Sequence, residues 1–197
     1  MSLTTAKRFT IAEYHRLAEL GFFEENDRVE LIKGEIIQMA AKGTPHSVCS
    51  TRLYRELFKL VLEEAILRGQ EPIIIPNDSE PEPDLVIVRN RPDDYLEAHP
   101  SPFDVLLVIE ISNSTLKYDQ DVKLSVYAEA GISDYWIFNL VDNYLESYSE
   151  PYKDLQGRFG YRRKLIFLQN ESVSLPYFPD LVLDVSKVFP GECIKVY

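Results

Sequence analysis

The fold of this chain is indicated first by the stretch Asp104-Val105-Leu106-Leu107-Val108-Ile109-Glu110-Ile111-Ser112. A continuous apolar run of this length is typical of a strand that is buried on both faces in the centre of a sheet. Glu110 places a carboxyl group inside that run. Because a buried, unpaired carboxylate costs on the order of several kcal/mol, we expect Glu110 to be protonated, paired or bound to a metal ion.

Two other acids are tied to apolar segments in the same way. Asp84 opens the segment Leu85-Val86-Ile87-Val88, and Glu30 lies within Val29-Glu30-Leu31-Ile32. Acids on adjacent strands can converge on one ion, because neighbouring strands lie about 4.8 Å apart. Carboxylate oxygens are the ligands that hard divalent cations prefer. The three acids therefore predict a site for such a cation.

Length and composition favour a folded, single-domain protein. The chain has 197 residues, of which 45% are hydrophobic and 12% aromatic, so we expect one domain over residues 1–197. The sequence has no apolar run near the ~20 residues of a membrane span, and we expect no secretory signal. Cys49 and Cys193 lack metal-ligand or redox spacing. Free thiols in a reducing cytoplasm, with no membrane partner, are the expectation.

The net charge of −11 counts against nonspecific binding to nucleic acid, where basic side chains normally supply most of the affinity. It does not exclude nucleic acid as a substrate. A local cluster can be basic, and an acidic site changes character once it holds divalent cations.

Hydrophobic periodicity predicts a mixed sheet with helices packed on its faces and additional β-hairpins, an α/β fold. A capping box at Thr10 and Glu13 opens a first helix. We expect further helices over 44–68 and 119–130. The predicted strands are 29–32, 35–39, 73–75, 85–89, 104–112 and 135–138, with later β-segments over 143–149, 160–168, 172–175 and 181–185.

The basic partner of the acids is predicted from strand parity. Residue 112 shares a sheet face with residue 110, but it is serine. The next candidate is Lys123, at the edge of the apolar face of the following helix. Phosphodiester cleavage needs a cation to activate water, and it benefits from an ammonium group near the nucleophile.

Several stretches carry a resemblance to a known family, in this order: Arg28-Val29-Glu30-Leu31-Ile32-Lys33-Gly34-Glu35-Ile36, Gly43-Thr44-Pro45-His46, Pro83-Asp84-Leu85-Val86-Ile87-Val88, Val108-Ile109-Glu110-Ile111-Ser112-Asn113-Ser114-Thr115, Asp119-Gln120-Asp121-Val122-Lys123 and Gly131-Ile132-Ser133-Asp134-Tyr135-Trp136. The chain resembles the Uma-type family of restriction-endonuclease-like proteins, a domain of unknown function abundant in cyanobacteria. That family lies in the PD-(D/E)XK superfamily. The resemblance spans about Phe9 to Phe189.

The resemblance implies a restriction-endonuclease-like core and an endonuclease that hydrolyses DNA with Mg²⁺ or Mn²⁺. Carried over by motif, Asp84 matches the first acid and Glu110 the second, and both would bind the metal. Lys123 matches the lysine displaced to the following helix. Glu30 matches the acid near the first hairpin and would be a further ligand or position water. Ser112 departs from the simple superfamily pattern, where a lysine would close the motif.

Other interpretations stay open for individual residues. Glu110 can be a structural acid, Glu30 a charge that protects an edge strand, and Asp119 and Lys123 an ordinary helix pair. His46 can cap the second helix, or contact phosphate or transfer a proton. The densest basic cluster can be a solvated hairpin or contact the DNA backbone. Its members are Arg158, Arg162, Arg163 and Lys164.

Two other functions stay open as well. A nuclease fold with weak or no catalysis would act as a binding or scaffold module, which the acidic charge favours. A metal-dependent hydrolase of a smaller phosphate ester fits the charge but not the resemblance. A homodimer is an alternative to a monomer that the sequence does not decide.

Overall fold

The computed structural model describes residues 5–24 and 26–190. Their helices are α1 Ile11–Glu19, α2 Thr44–Val61, α3 Leu116–Tyr118 and α4 Leu124–Glu129, with a π-helical turn at Asp119–Lys123 and a final 3-10 turn at Val185–Lys187. The strands are β1 Val29–Ile32, β2 Glu35–Gln38, β3 Ala65–Gly69, β4 Leu85–Arg89, β5 Val105–Ser112, β6 Asp134–Asn139, β7 Tyr144–Lys153, β8 Phe159–Leu168, β9 Ser172–Leu175 and β10 Phe178–Asp184.

Six strands form the central sheet in the order β3-β4-β5-β6-β7-β8. All neighbours are antiparallel except β5 and β6, which are parallel. Two parallel strands need a crossover connection, and the helical segment from α3 to α4 supplies it. The pairs β1-β2 and β9-β10 form separate hairpins. The predicted α/β class with a mixed sheet and additional hairpins is confirmed.

The two faces of the sheet pack against different helices. Helix α2 covers one face with Leu53, Leu57 and Val61, against residues of β5 such as Leu107 and Ile109. The other face packs Val108 and Ile137 against Val126 and Tyr127 of α4, and against Ile32 of the β1-β2 hairpin. Every residue of β5 is buried, as the continuous apolar run predicts. Glu110 points to the second face, because it shares parity with Val108.

One helix prediction is wrong at its C-terminal end. The pattern over 44–68 predicts one helix, but α2 ends at Val61 and residues 65–69 form the edge strand β3. Strand β3 pairs with β4 from Ala65 opposite Arg89 to Gly69 opposite Leu85. Backbone pairing and burial along β4 outweigh the helical pattern there, which only tertiary contact can decide. The predicted strand 73–75 is also absent; Ile75 makes a single bridge with Ser79.

The structure tests the predicted free thiol for one of the two cysteines, and it also allows a search for membrane-spanning helices. Cys49 is a buried free thiol, whereas Cys193 lies outside the described residues. Across residues 5–24 and 26–190, no helix has both the length and the apolar character needed to cross a bilayer.

Candidate active site

Strand register brings Asp84 and Glu110 together. Leu85 pairs with Ile109 in the antiparallel β4-β5 ladder. Asp84 is the residue before Leu85, and Glu110 is the residue after Ile109. Because the strands are antiparallel, Asp84 and Glu110 are the next pair and lie opposite each other on one face of the sheet. The Asp84 N–H lies 3.4 Å from Glu110 Oε2, and the Ile111 N–H donates to Asp84 Oδ2 at 2.9 Å. The structure therefore places the two predicted acids at one point of the sheet.

Asp84 is held by two basic side chains from the region where α2 begins. Lys42 Nζ lies 3.0 Å from Asp84 Oδ1, and His46 Nε2 lies 3.0 Å from Oδ2. Burial by itself would raise the pKa of Asp84. The hydrogen bond from His46 and the charges of His46 and Lys42 outweigh that effect and lower the pKa to about 2. Asp84 is therefore ionised at neutral pH.

Glu110 and Glu30 share the ammonium group of Lys123. Lys123 Nζ lies 2.9 Å from Glu110 Oε1 and 3.1 Å from Glu30 Oε2, and each of the three residues is at most 4% exposed. The Tyr127 hydroxyl also donates to Glu110 Oε1, at 2.8 Å. Burial would lower the pKa of Lys123, but the charges of Glu110 and Glu30 raise it well above its usual range. Lys123 is therefore a charged ammonium between two carboxyl groups.

Glu110 lacks full compensation for its charge. Burial raises the pKa of Glu110 to about 8; the charge of Lys123 opposes this, whereas nearby Asp119, Asp84 and Glu30 add to it. Burial is the largest of these effects, and the three neighbouring acids also leave an excess of negative charge over the one ammonium group of Lys123. An additional cation beside Glu110 would relieve that excess.

The β1-β2 hairpin carries Glu30 to the site. Leu31 of β1 forms a bridge with Glu80, which fixes the hairpin against the segment that leads into β4. The Glu82 N–H donates to Glu30 Oε2 at 3.2 Å. Glu82 itself pairs with Arg28 at 2.6 Å. The acidic connector before Asp84 therefore positions Glu30, and Glu82 lies in the same cleft.

The π-helical turn positions Lys123. The Leu124 N–H donates to the Asp119 carbonyl oxygen five residues earlier, so the turn contains one residue more than an α-helical turn. Asp119 accepts a 2.7 Å hydrogen bond from Ser112 Oγ, and Gln120 donates to Glu146 at 2.8 Å. The turn is thus attached to the sheet at its start, and Lys123 at its end faces Glu110. Such insertions in helices occur frequently at functional sites.

Sequence reasoning misses Lys42 and the role of Asp119. Lys42 follows Ala40-Ala41 in a segment without regular structure, where no periodicity marks it. The sequence suggests Asp119 only as a helix partner of Lys123, yet its buried carboxyl group lines the cleft and binds Ser112. Burial raises the pKa of Asp119, against the charge of Lys123. Ser112, which departs from the expected lysine, is the available signal, because strand parity points it into the same site.

These side chains line a cleft of roughly 240 Å³. Acidic groups outnumber lysines in its lining; the acids are Glu30, Glu82, Asp84, Glu110 and Asp119, and the lysines are Lys42 and Lys123. Within the described part of the chain, no three acidic, histidine or cysteine side chains are already gathered around one point as metal ligands. The lysine ammonium groups occupy the space between the acids instead. Oxygen donors and excess negative charge nevertheless fit a hard divalent cation.

The residues predicted to contact DNA fall into two places. His46 lines the cleft. The basic cluster lies on and beside the edge strand β8, and among the described residues that line the cleft none comes from it. Its ion pairs join Arg158 to Asp154 at 2.7 Å, Arg163 to Glu150 at 3.6 Å and Lys164 to Glu146 at 2.8 Å, while Arg162 lies over the Tyr152 ring. A role of this cluster in binding DNA stays a prediction.

Comparisons with known proteins agree on a family and a fold. The family Uma2, described as "Putative restriction endonuclease", matches residues 11–186. A crystal structure from Anabaena variabilis ATCC 29413, described as "a putative nuclease belonging to DUF820", is similar with a TM-score of 0.71. It is 16% identical and covers 92% of this chain and 97% of that chain, so it supports the fold alone. No curated protein matches the chain.

Proposed function

Because this chain belongs to the Uma2 family of restriction-endonuclease-like proteins, we propose that it is a metal-dependent endonuclease that hydrolyses DNA phosphodiester bonds. The observation that carries the proposal is the convergence of Asp84, Glu110 and Lys123 in one cleft, although they come from the residue before β4, from β5 and from the π-helical turn. A structural ion pair would need only one acid for the one lysine. Here several buried acids meet in an open cleft.

The residues fit a divalent cation such as Mg²⁺ or Mn²⁺. Asp84 and Glu110 would hold it, and Glu30 would be a further ligand or position the attacking water. When bound, the cation would lower the pKa of a water molecule and stabilise charge on the phosphate. The excess of acidic side chains over lysines in the cleft supports this assignment, because a divalent cation would offset it.

Lys123 would supply the second positive charge of the reaction. Its ammonium group is held at 2.9 Å and 3.1 Å from two carboxyl groups, so it is oriented before any substrate enters. A preoriented ammonium in a buried cleft stabilises developing phosphate charge more strongly than one in water. Tyr127 and the π-helical turn would keep Glu110 and Lys123 in place.

The test is a cleavage assay with Mg²⁺ or Mn²⁺ on supercoiled plasmid, linear duplex, single strands and RNA. Wild type is expected to nick or cut DNA, and EDTA is expected to stop it. Asp84→Asn and Glu110→Gln should lose cleavage together with Mn²⁺ binding measured by calorimetry. Asp121→Asn is the matched control, because Asp121 lies on the same π-helical turn but is exposed. Low salt is needed, since a chain of charge −11 is expected to bind DNA weakly.

The net charge favours one alternative, a nuclease-fold binding module with weak or no catalysis. If every substrate stays intact while Mn²⁺ still binds through Asp84, the binding module becomes the better assignment. If Asp84→Asn and wild type cleave equally, the observed activity does not come from this cleft.

A further inference from the structure

Lys42 is a second cleft lysine whose place is distinct from that of Lys123. It lies between the end of β2 at Gln38 and the start of α2 at Thr44, in a segment without regular structure. Its side chain is 18% exposed and lines the cleft, and its ammonium nitrogen is 3.0 Å from Asp84 Oδ1. The ammonium group of Lys123 instead contacts Glu110 and Glu30. Lys42 is therefore the lysine partner of Asp84, whereas Lys123 is the lysine partner of Glu110 and Glu30.

The contacts of Asp84 show what an arriving cation would meet. Oδ2 already faces the Ile111 N–H at 2.9 Å and His46 Nε2 at 3.0 Å. Oδ1 faces the ammonium group of Lys42. A divalent cation bound to Oδ1 would stand beside a positive charge that binds the same oxygen. Repulsion between the two in a partly buried cleft is strong, so the cation and the Lys42 ammonium group compete for Oδ1.

Lys42 is built to move in a way that Lys123 is not. Its side chain has four rotatable dihedral angles, as in any lysine, and its neighbours Ala40, Ala41 and Gly43 are small. The Lys42 side chain keeps some solvent exposure, whereas Lys123 is only 4% exposed. A released ammonium group would stay in the mouth of an acidic cleft and would need a new anionic partner. The other acids of the cleft already have partners: Glu82 pairs with Arg28, Glu30 and Glu110 with Lys123, and Asp119 accepts from Ser112. In a nuclease, a phosphate of the nucleic acid is then the available anion.

We propose that Lys42 is an exchangeable counter-ion: it neutralises Asp84 while the site lacks metal, yields that position to the divalent cation, and then binds a backbone phosphate of the substrate. The inference rests on the proposed function. The exchange would couple metal binding to nucleic-acid binding, because metal binding frees the lysine that binds the nucleic acid. By linkage, the nucleic acid must tighten metal binding by the same factor.

The first measurement is calorimetric titration of the metal-free protein with Mn²⁺ alone. Lys42→Gln removes the competing charge, so it should bind Mn²⁺ roughly tenfold more tightly than wild type. Lys42→Arg keeps the charge and should bind like wild type. Lys59→Gln is the matched control, because Lys59 is an exposed lysine of α2 that pairs with Glu56. Circular dichroism and thermal unfolding check that each variant is folded.

The second measurement is fluorescence anisotropy with a short duplex, in the Lys123→Met background so that the duplex stays intact. In EDTA, Lys42 is engaged with Asp84, so Lys42→Gln should bind the duplex as its parent does. In Mn²⁺, Lys42→Gln should bind several-fold more weakly, and the slope of log affinity against log salt should fall by about 1. A purely structural lysine would not produce opposite effects on metal and duplex.

Two results would overturn the inference: Mn²⁺ affinity of Lys42→Gln equal to or below that of wild type, or an equal loss of duplex affinity in EDTA and Mn²⁺. Failure of the proposed function looks different. In that case wild type itself cleaves no substrate, or it shows no Mn²⁺ binding that Asp84→Asn removes.

Discussion

The hydroxyl group of Tyr127 lies 2.8 Å from Glu110 Oε1, the same carboxylate oxygen that Lys123 binds at 2.9 Å. Two donors therefore converge on one oxygen, and both come from the helical segment that connects β5 to β6. Glu110 Oε2 faces the Asp84 N–H at 3.4 Å. The connection that makes β5 and β6 parallel thus also orients the central acid of the cleft.

Replacing Tyr127 with phenylalanine should lower the free energy of unfolding by about 1.5–3 kcal/mol, because it removes a buried hydrogen bond to a charged group. Tyr161→Phe is the matched control. Its hydroxyl donates to the neutral Ile132 carbonyl at 2.9 Å, so the loss should be about 0.5–1.5 kcal/mol. Urea unfolding in EDTA at pH 9, above the raised pKa of Glu110 of about 8, measures both. Equal losses in the two variants would contradict a charged Glu110 at this position.

Replacing Lys123 should separate metal binding from catalysis. Lys123→Met should lose most of the cleavage rate while keeping Mn²⁺ affinity, because the proposed role of the ammonium group lies at the transition state. Lys123→Arg should not restore the rate, since a planar guanidinium does not fit between Glu110 and Glu30 as a compact ammonium does.

The matched control for Lys123 is Lys117→Met, an exposed lysine of α3 in the same helical connection. It should cleave at the wild-type rate. Mn²⁺ calorimetry and circular dichroism on the same samples show whether a slow variant still binds metal and is folded. Equal rates for wild type and Lys123→Met would remove Lys123 from the mechanism.

Asp134 should make the protein less stable as pH rises. Burial raises the pKa of Asp134 from 3.8 to about 6. Between these values the folded state keeps a proton that the unfolded state has released, so the free energy of unfolding falls as pH increases through this window. Asp134→Asn lacks this titration. Its stability relative to wild type should grow from pH 4 to pH 6 and level off above, as measured by urea unfolding at each pH.

The prediction would be contradicted if the stability difference between Asp134→Asn and wild type stayed constant from pH 4 to pH 7. Such a result would show that folding does not raise the pKa of Asp134. Asp180→Asn is the control for an acid on the exposed hairpin strand β10. It should show no such trend, because the Asp180 side chain is exposed to solvent.

The basic residues on β8 provide a test of the predicted DNA contact. If Arg162 and Arg163 bind backbone phosphates, the double variant Arg162→Gln/Arg163→Gln should weaken duplex binding at low salt and reduce the salt slope by about 2. Lys153→Gln, which removes one exposed positive charge from the neighbouring strand β7, is the control for a nonspecific change in net charge. Unchanged duplex binding in the double variant would assign the cluster to its ion pairs alone.

Much of the fold is predictable because the decisive signals are local. The apolar run around Glu110 predicts a central strand, and β5 is buried along its whole length. The capping box at Thr10 predicts the start of α1, where both of its reciprocal hydrogen bonds form. Strand β3 is not predictable in this way. Residues 65–69 continue a helical pattern, and only pairing with β4 makes them a strand.

The candidate site is likewise only partly predictable from the sequence. Acids inside apolar segments are visible in the sequence, because burial of a carboxyl group needs a compensating partner wherever the segment folds. The amino-acid sequence alone therefore singles out Asp84, Glu110 and Glu30. Which groups compensate them depends on strand register, on one extra residue in the π-helical turn and on a segment without periodicity. Those features bring Lys123, Asp119 and Lys42 into the cleft through contacts between segments that lie far apart in the chain.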